Sequence, residues 1–349
     1  MPKTVRRLVM ILLLAAVIEY LVVPQLAGAR QSLHLISHAN FWLVIVGLGL
    51  EIASLLAYSQ LTHSLLSHRV VSLQRVFRIN LSTLAVSHVV PGGTAAGASL
   101  GYRMLTASGV AGPEAGFALA LQGIGSAVVL NSLLWVGLIV SIPLYGFNPL
   151  YATAAVVGVL LIAFVTVIAI LMTRGEEKAV VLLRSLSRRL PFLHEDAVEA
   201  VFRRLSDRLE ELVADRDRLW ACVGWAAANW LLDAGSLWVF LLAFGRATNP
   251  DGLIVAYGLA NVLAAIPVTP GGLGVVEGVL TPALVGFGMH KGVAILGVLS
   301  WRLVNFWLPI PAGAGAYLSL RLGGDGNLLR PERLEELREE GQPPHPARP

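Results

Sequence analysis

Cysteine is almost missing from this chain: Cys222 is the single one in 349 residues. That excludes an internal disulfide framework and a cysteine-built zinc cluster. Charge is scarce as well. Asp, Glu, Lys and Arg make up 14% of the residues, against about 25% in ordinary soluble domains, which is too little to solvate the surface of a water-soluble enzyme. Several chemical signatures are absent too. There is no Walker loop, no Gly-x-Ser-x-Gly elbow and no His-Glu-x-x-His pair. A dinucleotide fingerprint fails at Gly272-Leu273-Gly274, because Glu277 stands where the third glycine is needed. His34 and His38 have a metal-compatible spacing, but two histidines in a polar loop are more often simply solvated. No cofactor or metal is expected, and no catalytic constellation stands out.

What is present is apolar sequence. Hydrophobic residues make up 56% of the chain and the mean hydropathy is +0.71. A helix needs about 20 apolar residues to cross the hydrocarbon core. Six runs qualify, at roughly 8–29, 41–61, 114–142, 150–173, 219–244 and 293–320. The first is preceded by Lys3, Arg6 and Arg7. It is read as a retained span, longer than a signal peptide's apolar core, although Ala27-Gly28-Ala29 resembles a cleavage site. Two more apolar regions, 82–108 and 253–289, are each broken by a Pro-Gly-Gly triplet, at Pro91-Gly92-Gly93 and Pro270-Gly271-Gly272. Proline removes a helix donor and the glycines add backbone freedom. The flanking pieces are too short to cross, so both regions are expected to be re-entrant hairpins buried in protein or lining a wet cavity. The predicted fold is therefore an all-α polytopic membrane protein, with about six spans and two re-entrant hairpins in residues 1–322.

Charge placement orients it. With a cytoplasmic N-terminus and each hairpin returning to its own side, 22 of the 26 Lys and Arg fall in cytoplasmic segments and three in outer loops. This is a strong positive-inside bias and puts both termini in the cytoplasm. Segment 174–218 holds ten basic and ten acidic residues with apolar positions at helical spacing. It reads as a cytoplasmic amphipathic connection that could also dock a partner. Residues 323–349 read as a partly disordered tail. A shift of 179 residues lays the first triplet on the second, Gly109 on Gly288 and Ala115 on Ala294. Three crossings per half would make the halves an inverted repeat, a layout that places substrate near the bilayer midplane. The basic balance suits loops facing anionic lipid and gives no argument for nucleic acid.

An ionisable group inside a span costs about 2.5–3.5 kcal/mol on insertion scales, so each is a candidate. They are Glu19, Glu51, Asp233, Glu277 and Arg302, with His88 just before the first triplet. Glu277 follows the second turn on the outgoing half-helix, whose N-terminus favours an anion, either a ligand phosphate or the Glu277 carboxylate itself. Arg302, followed by Asn305, could pair with Glu277 or Asp233, or hold a phosphate through two donors. A head-group site built on Glu277, Arg302, Asp233, Gly271, Gly272 and Asn305, and a purely structural Glu–Arg lock, both remain open. Asp233 is expected to bond Asn229 or Trp230 nearby. Glu19 and Glu51 could carry protons if they face inward.

The stretch from Val268 to Gly278, with Gly288, Arg302 and Asn305-Phe306-Trp307-Leu308-Pro309, resembles the membrane region of lysylphosphatidylglycerol synthases, a flippase-like family. The similarity runs over about residues 5–322. Pro91-Gly92-Gly93 with Arg103 is similar to the family's first motif, but Ala98 stands where an acidic residue would be expected. The resemblance implies a lipid-translocating domain in a bacterial or archaeal inner membrane. Only 27 residues follow the last span, so a stand-alone member without the aminoacyltransferase domain is expected. The rival expectations are a proton-coupled transporter of a small anion, and a non-transporting scaffold that docks partners at 174–218 or self-associates.

Overall fold

In the computed structural model the described residues are 39–66, 71–90, 92–145, 149–174, 210–245, 249–264 and 269–322. The expected first span 8–29 with Glu19, Pro91, most of segment 174–218 and the tail 323–349 lie outside them. Among the described residues the chain is helical and has no strand. In chain order the elements are α1 (Phe41–Leu65), α2 (Leu73–Val89), α3 (Gly93–Ala107), α4 (Gly112–Tyr145), α5 (Pro149–Arg174) and α6 (Arg216–Ala243). There follow α7 (Pro250–Ala264), a 3₁₀ turn (Pro270–Gly272), α8 (Val275–Gly286), α9 (Lys291–Arg302), a π-helical turn (Leu303–Trp307) and α10 (Pro309–Leu322).

Four stretches are long and apolar enough to cross a membrane: Phe41–Leu65, Gly112–Pro143, Arg216–Ala243 and Lys291–Leu322. Their outer faces carry large apolar side chains, among them Phe41, Trp42, Ile139 and Leu303, all exposed. In water such a surface would aggregate; against lipid tails it costs nothing. The expected span 150–173 is present as α5, 26 residues long.

The glycines of both triplets sit where the chain turns back, and the first hairpin's incoming arm is longer than the sequence pattern suggests. α2 starts at Leu73 rather than near residue 82, because Val76, Ile79 and Asn80 form a buried stripe while Arg78 stays exposed. α3 then returns along α2. A Cβ on Gly93 or Gly97 would run into Ser87, and one on Gly101 would come within 3.1 Å of Thr83, so the small residues let the two backbones close on each other. In the second hairpin, Gly272 meets Ala264, and Gly252 meets Phe287.

The last expected span, 293–320, is present as the helical stretch Lys291–Leu322, with a change of helix type inside it. It is not one continuous α-helix. Leu308 donates to the carbonyl of Leu303 at 2.9 Å, five residues back. Pro309 has no N–H to offer the carbonyl four residues before it, so the helix widens to a π turn there.

Packing ties the two halves together. α1 and α6 lie antiparallel along their whole length. Asn40 N–H donates to Ala243 O at 3.0 Å and Ser236 Oγ to Gly47 O at 2.9 Å. Asn229 Nδ2 donates to Ser54 O at 3.1 Å, and the Arg218 guanidinium caps Ser64 and Leu65. α2 packs along α10, and α4 along α7. Gly313 of α10 presses on the Leu81 carbonyl and Ala85 of α2, while Gly258 of α7 faces Leu134 of α4.

The Gly313 contact predicts that Gly313→Leu destabilises the protein by about 1–3 kcal/mol, the usual cost of overpacking. Gly315→Leu, whose Cβ would meet nothing within 4 Å, is expected to melt like the wild type in a detergent thermal-stability assay.

Candidate functional site

The site grows from the second turn. Gly271, Gly272 and Gly274 all have positive φ, at 55°, 67° and 83°. That run of positive φ is non-helical backbone directly ahead of α8 and sets the direction in which α8 leaves. The open N–H groups at the start of α8 then need an acceptor. Glu277 supplies it. Its Oε2 accepts the Gly274 N–H at 2.6 Å and its Oε1 accepts Arg302 Nε, also at 2.6 Å. The pair is nearly closed off, with the two side chains 6% and 5% exposed. Arg302 also donates to the Gly271 carbonyl at 3.4 Å and stacks its guanidinium 4.5 Å from the Phe306 ring centroid. Of the sequence alternatives for the α8 terminus, the Glu277 carboxylate itself occupies it here.

Phe306 links the two hairpins. Its ring stacks on His88 with centroids 4.3 Å apart, and His88 Nδ1–H donates to the Phe306 carbonyl at 2.9 Å. Gly271 lies beneath both rings: a Cβ there would come within 2.5 Å of Phe306 and 2.8 Å of His88. The end of the first hairpin's incoming helix and the tip of the second therefore touch through one aromatic ring.

A second polar group adjoins the ion pair. Asp233 does not bond Asn229 or Trp230, as expected. Asn229 is taken by Ser54 and Trp230 by Ser126, because those positions on α6 face α1 and α4. Asp233 turns inward instead. Its Oδ2 accepts from Tyr257 Oη at 2.6 Å. Its Oδ1 accepts from Trp301 Nε1 at 2.7 Å and Asn305 Nδ2 at 3.1 Å. Asn305 Nδ2 also donates to Glu51 Oε1 at 3.1 Å, while Glu51 Oε2 is buried without a hydrogen-bond partner among the described residues.

All six predicted site residues thus gather around the π turn. Glu277, Arg302 and Gly271 make the ion-pair half; Asp233 and Asn305 make the other. Gly272 is buried behind them against Ala264 and Val276. Glu51, left open in the sequence, faces inward and joins them. Tyr257, Trp301 and Phe306 were missed as partners. The available signal was an aromatic with a polar handle inside an apolar run, which usually has an acceptor to satisfy. Among the described residues, no group of three or more His, Cys, Asp or Glu is placed to hold a metal. Chemically the cluster offers a guanidinium and a helix N-terminus, the two elements that bind phosphate and carboxylate. Gly271→Ala should cost about 1–2 kcal/mol from the left-handed backbone alone and more from its collision with Phe306. In a double-mutant cycle read by thermal melting, Phe306→Leu should recover part of that loss, since contacting residues couple.

Residues 8–313 match the family described as the lysylphosphatidylglycerol synthase TM region. A "UPF0104 membrane protein" of Methanothermobacter thermautotrophicus is 26% identical over 175 residues, 48% of this chain and 52% of its own. A Synechocystis protein described only as uncharacterized is 36% identical over 95 residues, 26% of this chain and 27% of its own. The chain thus spans about half the length of the first of these curated relatives and about a quarter of the second. Taken with an all-α architecture whose lipid-length helices converge on a buried ion pair, the match over residues 8–313 makes this chain an integral membrane protein of the lysylphosphatidylglycerol synthase transmembrane-region family.

Proposed function

We propose that this protein is a translocase, not an enzyme, that moves a phospholipid or lipid-linked substrate with an anionic head group across the inner membrane. The observation that carries this reading is the buried Glu277–Arg302 pair at the broken tip of the second hairpin. A guanidinium and a half-helix N-terminus held together in the protein interior form an anion receptor, and Glu277 fills it. A head-group phosphate that displaces Glu277 from Arg302 and the Gly274 N–H replaces one anion by another, so the guanidinium stays paired while the displaced Glu277 carboxyl takes up a proton or turns to another donor. The family's name points to a lipid substrate, since lysylphosphatidylglycerol is a phospholipid. For a soluble anion the same guanidinium would serve, but the pathway would be a wet vestibule and not a lateral gap to the bilayer.

The helix pattern supports an inverted repeat. Under the 179-residue shift, α1 (41–65) falls on 220–244, within or at the edge of α6. α2 (73–89) falls on 252–268 around α7, α3 (93–107) on 272–286 around α8, and α4 (112–145) on 291–324 around α9–α10. The packing pairs correspond as well. The shift carries Leu134, which faces Gly258, onto Gly313, which presses on Leu81, and carries α2 onto α7. Each half thus lays its hairpin's incoming helix on the other half's long span. Rocking of one repeat against the other is the expected mechanism of such a layout. On this reading both termini face the cytoplasm.

Purified protein in proteoliposomes with fluorescent phosphatidylglycerol tests the reading. Arg302→Ala is expected to slow flipping by roughly tenfold to a hundredfold, the worth of hydrogen bonds to a charged group. Because a lone buried carboxylate can unfold its surroundings, the paired Glu277→Gln, Arg302→Gln variant is the cleaner test: it should insert and fold yet not flip. Wild-type flipping in that variant would reject the site.

A further inference from the structure

The α1–α6 register has a centre. Asn40 pairs with Ala243, Gly47 with Ser236 and Ser54 with Asn229, so each step along α1 is a step back along α6. The positions that face each other in this register and are also 179 residues apart are Ile52 and Leu231. Their environments match: both are lipid-side residues, 48% and 47% exposed. If the halves are inverted repeats, the twofold axis in the membrane plane passes here, which is the bilayer midplane. Glu51 and Asp233 stand beside that axis, one residue and two residues away, with side chains turned inward.

The two carboxyl groups meet at one donor: the same Asn305 Nδ2 donates to Glu51 Oε1 and to Asp233 Oδ1, each at 3.1 Å. They are unequally supported. Asp233 accepts three donors, from Tyr257, Trp301 and Asn305. Among the described residues, Glu51 accepts from Asn305, and its Oε2 has no partner although the residue is 2% exposed. Two carboxylates cannot face each other away from water without a cation or a proton between them. The groups around them are Ser236 on α6, Tyr257 on α7, Glu277 on α8, Trp301 and Arg302 on α9 and Asn305 on the π turn, with His88 of α2 behind Phe306. The described cation among these, Arg302, is already bound to Glu277. Glu51 and Asp233 are therefore left without a paired cation among the described groups.

We propose that Glu51 and Asp233 form a proton-binding site at the bilayer midplane, and that uptake and release of this proton energises the translocase. The proton sits on Glu51 Oε2, the orphaned atom, and is donated in a hydrogen bond to the Asp233 carboxylate. Release to water breaks that O–H bond and leaves two facing carboxylates. The added negative charge then attracts Arg302, three residues from Asn305 on the same stretch, away from Glu277, and so links the proton to the head-group site. The coupling half rests on the translocase reading and the midplane placement on the inverted repeat; the Glu51–Asp233 pair itself rests on neither.

Glu51→Gln is the informative variant, because its amide donates to Asp233 as the acid would and so keeps the fold. The full chain in phosphatidylcholine–phosphatidylglycerol liposomes is examined by infrared difference spectroscopy across a pH jump. Wild type is expected to show the carbonyl stretch of a neutral carboxylic acid that disappears on alkalisation, and Glu51→Gln to lack it. A spectrum unchanged by Glu51→Gln would overturn the site. In the same liposomes, an imposed pH gradient should accelerate fluorescent phosphatidylglycerol flipping by wild type and leave Glu51→Gln at one rate with or without the gradient. Gradient-independent flipping by wild type, or acceleration by a sodium gradient in its place, would overturn proton coupling. A Glu51 signal with no phosphatidylglycerol flipping by wild type would uphold the proton site and reject the coupling together with translocation of that lipid.

Discussion

A charge held away from water must meet a counter-charge or a set of oriented donors, and the arrangement around Arg302 follows from that requirement. Removing one partner of a buried ion pair costs about 3–5 kcal/mol. Arg302 therefore fixes Glu277, Glu277 fixes the start of α8, and the start of α8 fixes the left-handed turn before it. Phe306 covers the other face of the guanidinium and carries His88 with it. A single electrostatic need thus organises four separate elements.

The same requirement explains the difference between the two hairpins. The first has Ala98 where the second has Glu277, and it closes by backbone approach through Gly93, Gly97 and Gly101. With no carboxylate there, the first hairpin's Arg103 stays exposed and donates to Ser99 Oγ at 3.5 Å, whereas the second hairpin holds a buried ion pair. Beside Glu51 and Glu114, the interior of the first half carries neutral polar contacts: Asn80 and Gln122 both donate to Thr62. The buried ion pair belongs to the second half.

Much of this was legible in the chain. Apolar runs, the two Pro-Gly-Gly breaks and the few ionisable residues within spans are one-dimensional signals, since each reflects a cost paid locally against the bilayer. Arg302, Glu277 and Asp233 were identifiable for that reason, and Asn305 from its place beside Arg302 in the family-like stretch. What the chain does not display is which helix faces which. Asp233 looked as though it would bond its neighbours Asn229 and Trp230, yet the 100° advance of a helix per residue points those side chains at Ser54 and Ser126. Tyr257 and Trp301 become its partners only through the meeting of α6, α7 and α9. The π turn is hidden likewise, because Pro309 marks a disturbance without stating whether the helix kinks, ends or widens.

The His88–Phe306–Gly271 stack has a mechanical meaning. A ring wedged between two hairpin tips is a latch: neither tip can withdraw from the centre without unstacking the other's neighbour and breaking the His88 hydrogen bond to the Phe306 carbonyl. Because Gly271 offers no side chain of its own, the ring seats flush against the turn and leaves no slack. Motion of one hairpin is therefore transmitted to the other as a push or a pull, as between two doors joined by a single bolt.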